Sequence, residues 1–289
     1  MGEPRRRLGD SVSEGGRGAL PYWEARADAW RIVPPLSPAA EDVAWFEAVA
    51  RRAAAEIGRA PRALLLGVTP AIAAMGWPPG TELVAVDWAE GMLRRVWPRQ
   101  GTPATSARVR GDWRALPLID AGFDLVLGDG CYSTFGHLAE AARAHREIRR
   151  VLRRDGLHAM RYFCRLEPLP SVEALLEDLQ SGRFINLDLF RWLLAMAVQG
   201  DGPAGVELDS VWRTWTARVP DVAALRSRMG WTTDALANLR FWENAGVRFC
   251  FPSRAELAAL VEPGFELLER QLPGYQPAMC FPRLLLRAR

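Results

Sequence analysis

The chain has 289 residues, 49% of them apolar and 25% charged, with a net charge of +3. That balance suits a globular chain with a sizeable core. It excludes a membrane-spanning helix, because no run approaches about 20 apolar residues, and so small a charge gives no ground for a nucleic-acid partner.

All 37 basic residues are arginine, so a lysine Schiff base or lysine general base is not available. Heavy use of Ala, Gly, Pro and Arg matches a GC-rich coding bias and suggests a bacterial source. Cys131, Cys164, Cys250 and Cys280 are widely spaced and form no Cys-x-x-Cys pair. This argues against a disulfide framework or zinc site and for reduced thiols in a cytoplasm. His137, His145 and His158 show no ligand spacing, so no metal is expected. The opening Met-Gly-Glu-Pro-Arg-Arg-Arg has no apolar stretch behind its basic cluster and does not read as a secretory signal.

In chain order, residues 1–18 are rich in Gly and Arg and are expected to form a mobile tail. An amphipathic helix is predicted over residues 22–32, with Trp23, Ala27 and Trp30 on its pattern, and Pro34-Pro35 stops it. Ser37 and Pro38 suit the start of a second helix running to Ile57, closed by Gly58. Residues 19–58 therefore read as an N-terminal helical cap.

A core follows over residues 59–165. A short buried strand is predicted at 62–67, with further strands at 83–86, in the region where Val109 leads into Gly111-Asp112, at 123–128 and at 157–164, and helices at 89–96 and 137–152. Ala141, His145, Ile148 and Leu152 share one face of the last helix. Its arginines, Arg143 to Arg153, read as a solvated face rather than a nucleic-acid patch. Alternating strands and helices with short turns predict a doubly wound, mostly parallel α/β sheet. At about residue 166 the rhythm changes to helices at 171–180, 187–199, 209–218, 221–229 and 233–239. This insertion over 166–245 reads as a lid or substrate-binding unit. Strands predicted at 248–251, 265–272 and 283–287 return over 246–289 to complete the sheet, one of them antiparallel, with Ser253 and Glu256 forming a capping box.

Three carboxylates follow three successive strands: Asp87, Asp112 and Asp129. The carboxyl ends of parallel strands form the crevice where such folds hold ligands. Asp87, 20 positions after Gly67, can accept ribose hydroxyls. Asp112 can accept an adenine amino hydrogen beside the flat Trp113, and Trp88 lies next to Asp87. Asp129 and Gly130 then face the reactive end of the ligand.

The segments carrying these residues resemble the class I S-adenosylmethionine-dependent methyltransferases. Leu64 to Ala71 is similar to the glycine-rich first motif, and Leu83 to Asp87 to the second. Gly111-Asp112-Trp113-Arg114-Ala115-Leu116-Pro117 is similar to the adenine-binding segment, Phe123 to Gly130 to the fourth motif, and Glu147 to Gly156 to the helix and turn before the fifth strand. The first motif is degenerate. The family's acidic residue is Leu65 here, its two later glycines are Thr69 and Ala71, and only Gly67 is retained. The resemblance implies S-adenosylmethionine as cofactor, held by Trp23, Arg26, Gly67, Thr69, Asp87, Trp88, Asp112, Trp113, Asp129 and Gly130. Trp23, Arg26 and Trp30 stand in for the missing first-motif groups or pack as core.

Methyl transfer rests largely on alignment, with a base required only when the acceptor must lose a proton. Tyr132 and His137, following the fourth motif, are the catalytic candidates. Asn186 and Arg191, in the insertion, are candidate substrate contacts for a small molecule. Three other readings stay open. One is non-methyl chemistry on the same cofactor, by cyclisation or aminocarboxypropyl transfer releasing methylthioadenosine. The others are a catalytically silent binding partner and a nicotinamide-dependent reductase, though Gly-Val-Thr-Pro-Ala is a poor cradle for a pyrophosphate.

Overall fold

The computed structural model describes residues 14–183 and 186–289. Its strands are β1 (Arg62–Leu66), β2 (Glu82–Asp87), β3 (Thr105–Arg110), β4 (Phe123–Asp129), β5 (Leu152–Arg161), β6 (Val206–Glu207), β7 (Arg248–Phe249), β8 (Phe265–Gln271) and β9 (Arg283–Ala288). The helices are α1 (Glu14–Asp28), α2 (Ala40–Ile57), α3 (Pro70–Ala73), α4 (Leu138–Val151), α5 (Val172–Gln180), α6 (Leu187–Gln199), α7 (Leu208–Arg218), α8 (Val222–Met229), α9 (Thr233–Arg240) and α10 (Arg254–Val261). Of the expected tail, residues 14–18 already belong to α1, and residues 1–13 lie outside the described residues.

Seven strands form the main sheet in the order β3-β2-β1-β4-β5-β9-β8. β1 to β5 run parallel, and β9 runs antiparallel to both its neighbours, β5 and β8. The doubly wound, mostly parallel α/β architecture is therefore present, with the C-terminal strand β9 antiparallel as expected.

Alternation along β1 explains the layers. Leu64 and Leu66 pack with Ala141, Ile148 and Val151 of α4 and Leu257 of α10 on one face. Ala63 and Leu65 pack with Phe46, Val49 and Ala53 of α2 on the other. Successive strand side chains point to opposite faces, so a strand covered on both sides must be apolar throughout. Gly58 ends α2 in the left-handed region at φ 69°, where only glycine sits without strain.

Four expectations are corrected. Helix 89–96 is wound as a wider π turn over Met92–Val96. β5 starts at Leu152, not 157. The Asp155-Gly156 pair is absorbed as an irregularity opposite Phe123 and Leu125, with Asp155 at φ 63°. Residues 248–249 do not join the main sheet; β7 pairs with β6 of the insertion in a separate antiparallel ribbon. Finally, part of the arginine face of α4 is structural: Arg150 donates to the carbonyls of Leu116 and Leu118 and pairs with Glu147 and Asp120.

The insertion builds its own core from Phe190, Leu194, Trp215 and Trp242, continuous with Phe163 just past the end of β5, Phe281 just before β9, and Tyr22 of α1. Backbone hydrogen bonds from Gly205 to the Gly136 carbonyl and from Cys250 to the Ser133 carbonyl fasten the β6–β7 ribbon to the loop after β4.

Candidate functional site

The strand order sets Asp112, Asp87, Gly67 and Asp129 side by side, because they follow β3, β2, β1 and end β4. Three strand intervals of roughly 4.8 Å make this row about 14 Å long. Asp112, Asp87, Gly67 and Asp129 all line one cavity of about 730 Å³, together with Thr69, Trp23, Trp88, Trp113 and His137.

Asp87 is buried, and its Oδ1 accepts the Ala89 N–H at 2.9 Å. Among the described residues no cation pairs with it. Burial pushes its carboxyl up to about 7, as expected for a carboxylate deprived of both water and a counter-charge. Its second oxygen faces Gly67, whose φ is 75°; a Cβ there would lie 3.1 Å from Trp113 Cζ2 and 3.7 Å from Asp87 Oδ2. Trp113 is held in place by its indole N–H, which donates to the Val86 carbonyl at 2.7 Å. A buried unpaired carboxylate beside an open glycine floor and a fixed indole fits a ribose with its base alongside.

Asp112 is not a free acceptor. Arg114 grips both its oxygens, with Nη2 2.7 Å from Oδ2, and Arg114 is itself held by Glu140. This ion pair fixes the carboxylate in the cavity wall and leaves only its remaining lone pairs for a ligand. Asp129 is more fully committed. Arg161, at the end of β5, donates to it through Nε at 2.6 Å and Nη2 at 3.0 Å. Burial pushes the Asp129 carboxyl up, while Arg161 opposes the shift. Arg161 also donates to the Pro35 and Leu36 carbonyls and lies near Asp42, which accepts from Tyr275. Sequence reasoning missed Arg161 and Asp42. The one signal was a charged residue ending an apolar strand, the same signal that marked Asp129.

A second cavity of about 280 Å³ shares Trp23, Trp30, Thr69, Asp129 and Thr134 with the first. Gly130, Phe163, Arg191, Trp192, Trp242 and Phe249 also line it. Arg26 belongs here and does not line the larger cavity. It is buried, donates to Asn238 Oδ1 at 2.9 Å, and burial lowers its guanidinium to about 10, aided by the neighbouring Arg191.

Two further assignments are corrected. The Tyr132 hydroxyl turns into the core and pairs with His145 Nδ1 at 2.8 Å; it lines neither cavity. Asn186 caps α6 by accepting the Leu189 N–H and donates to the Pro34 carbonyl, also outside both cavities. His137 does line the larger cavity; its Nδ1 accepts the Ala139 N–H as it caps α4.

Residues 66–160 match the family described as a methyltransferase domain. The match lies within the core and covers 95 of the chain's 289 residues. A malonyl-[acyl-carrier protein] O-methyltransferase of Geobacter sulfurreducens is 39% identical over 85 residues, which is 29% of this chain and 31% of that protein. The match thus spans about a third of that relative's length.

Solved structures share this fold. The 1,6-didemethyltoxoflavin-N1-methyltransferase of Burkholderia thailandensis, with bound 1,6-didemethyltoxoflavin and S-adenosylhomocysteine, aligns at TM-score 0.51. Its identity is 14%, covering 97% of this chain and 93% of that one. A Rhodobacter sphaeroides protein provisionally named as a Zn-dependent alcohol dehydrogenase aligns at TM-score 0.57. Its identity is 12%, covering 94% of this chain and 99% of that one. At such identities the likeness is one of fold. Among the described residues of this chain, no group of three or more His, Cys, Asp or Glu is arranged to hold a metal.

Proposed function

We propose that the chain transfers a methyl group to a small-molecule acceptor housed in the second cavity. The observation carrying this reading is the adjacency of the two chambers. One is lined by the carboxylate row, and the other is walled by α1 and the insertion through Arg26, Arg191, Trp192 and Trp242. A half-open concave chamber that mixes aromatic and polar walls suits a small molecule better than a macromolecular segment. The insertion over 166–245 then serves as the acceptor-binding unit.

In this reading Asp87 accepts from the ribose, while Gly67, Trp88 and Trp113 shape the adenosine chamber. S-adenosylmethionine supplies an electrophilic methyl group on a positively charged sulfur. Asp129, held by Arg161, keeps the loop after β4 in place between the chambers. Thr69 and Trp23, which border both chambers, align the two ligands. His137 lines the first chamber and not the second, so this reading gives it no part in proton transfer from the acceptor.

The test is mass spectrometry of products after incubation with S-adenosylmethionine and a small-molecule extract. Methyl transfer predicts S-adenosylhomocysteine and an acceptor heavier by one methylene. Release of methylthioadenosine in its place would overturn the reading in favour of chemistry on the aminobutyryl chain.

A further inference from the structure

The second cavity carries an electrostatic imbalance. Arg26 and Arg191 are 2% and 3% exposed. Asn238 spaces them, accepting from Arg26 Nη1 on its side chain at 2.9 Å and from Arg191 Nη1 on its main-chain carbonyl at 2.7 Å. The carboxylate paired with them is Asp188, whose Oδ1 lies 3.0 Å from Arg191 Nε without the alignment of a hydrogen bond. Asp129 borders the same cavity, but its charge is matched by Arg161. Two buried guanidiniums against one carboxylate leave one positive charge unmatched.

Donors are unmatched as well. Arg26 Nη2 and Trp192 Nε1 are buried with no hydrogen-bond partner, on side chains that line the cavity. A buried charge and buried donors each cost free energy until an acceptor reaches them. The remaining wall is aromatic. Trp23 lies parallel to Phe249, with ring centroids 6.1 Å apart, Trp192 tilts against Phe249 at 5.7 Å, and Trp242 also lines the chamber.

We propose that this cavity, given the methyl-transfer reading above, binds the acceptor as a flat aromatic carboxylate whose charged end is received by Arg26 and Arg191. One carboxylate cancels one surplus charge, and its oxygens supply acceptors to a wall that has donors without partners. The aromatic body lies among the indole rings, where offset or edge-on packing suits its flat apolar surface. A dianionic phosphate would instead overshoot the charge.

A carboxylate could also come from the cofactor's own amino-acid end, so the test separates the two sources. Calorimetry on the full chain saturated with S-adenosylhomocysteine compares 2-naphthoate with its neutral isostere, 2-naphthamide. In the unmutated protein the acid is expected to bind about tenfold or more tightly than the amide, the scale of a charge-assisted hydrogen bond. Arg191→Gln should cut this preference to about threefold or less, and Arg26→Gln likewise. Both variants should bind S-adenosylhomocysteine and methylthioadenosine as the parent does.

Equal binding of acid and amide to the unmutated protein overturns the proposal without reliance on any variant folding. So does a variant that weakens S-adenosylhomocysteine but not methylthioadenosine, since that assigns the guanidiniums to the cofactor. If S-adenosylhomocysteine itself failed to bind the unmutated protein, the methyl-transfer reading would fall instead.

Discussion

Arg161 at the end of β5 holds Asp129 at the end of β4 through two hydrogen bonds of 2.6 and 3.0 Å. Both groups are buried or nearly so, and the guanidinium also faces Asp42. Two charges taken from water repay their desolvation only while each keeps its partner. Arg161→Leu therefore strands Asp129 outright, while Asp42 retains Arg283. A loss of about 3–5 kcal/mol in urea unfolding is expected. Asp129→Asn should cost less, because Asp42 remains beside Arg161. Equal stability of Arg161→Leu and the parent would refute the pairing.

On the proposed reading, Asp87 should make cofactor binding pH-dependent. Its carboxyl is pushed up to about 7 by burial. Below that value the neutral form predominates and loses an acceptor for the ribose hydroxyls. The affinity for S-adenosylhomocysteine should rise by up to about tenfold per pH unit below pH 7 and level off above it. Titration calorimetry between pH 5.5 and 8.5, values chosen to bracket about 7, reads this directly. Asp87→Asn should weaken binding and flatten the profile.

His145 and His158 set the acid limit of stability. Burial lowers them to about 4 and about 3, with His145 adding to the shift of His158. Their folded pKa lies below the unfolded one, so the unfolded chain takes up protons first as pH falls. The stabilising contribution is complete above about pH 6.5 and drains away towards pH 4 and below. Each histidine contributes a slope of about 1.4 kcal/mol per pH unit in that window. Urea midpoints measured against pH should show a shallower acid limb for His158→Asn, which cannot take up a proton.

Gly67→Ala should damage the cofactor chamber. The backbone there sits at φ 75°, and the added carbon would meet Trp113 at 3.1 Å. Left-handed geometry alone costs a non-glycine residue about 1–2 kcal/mol. Moving the Trp113 ring would also strain its bond to the Val86 carbonyl. Lower thermal stability and weaker S-adenosylhomocysteine binding should appear together. A variant that lost stability while binding normally would place the chamber elsewhere.

Much of the architecture was legible in the sequence because buried parallel strands announce themselves as short apolar runs. Asp87, Asp112 and Asp129 were legible for a related reason: each is the polar residue at or just past the end of a strand. Facing was not legible in irregular turns. Residues 131–134 form a tight turn after Gly130, whose φ is 64°, and this carries Tyr132 inward to His145. No periodicity applies in such a turn. Asn186 stood one residue ahead of α6, where an Asn is as suited to capping as to recognition. Arg161 escaped notice because its partner Asp129 is 32 positions away, and only strand pairing brings them together.

The ribbon of β6 and β7 bears on how such a protein can change. Through Gly205 and Cys250 it shares main-chain bonds with Gly136 and Ser133, and a Cβ on Gly205 would fall 2.3 Å from the Phe249 carbonyl oxygen. The helical segment is thus stitched to the loop after β4 and does not swing as a detachable flap. A graft that exchanged only residues 166–245 for those of another protein would sever the stitching; a successful transplant would have to carry the 133–137 loop and the 247–251 strand with it.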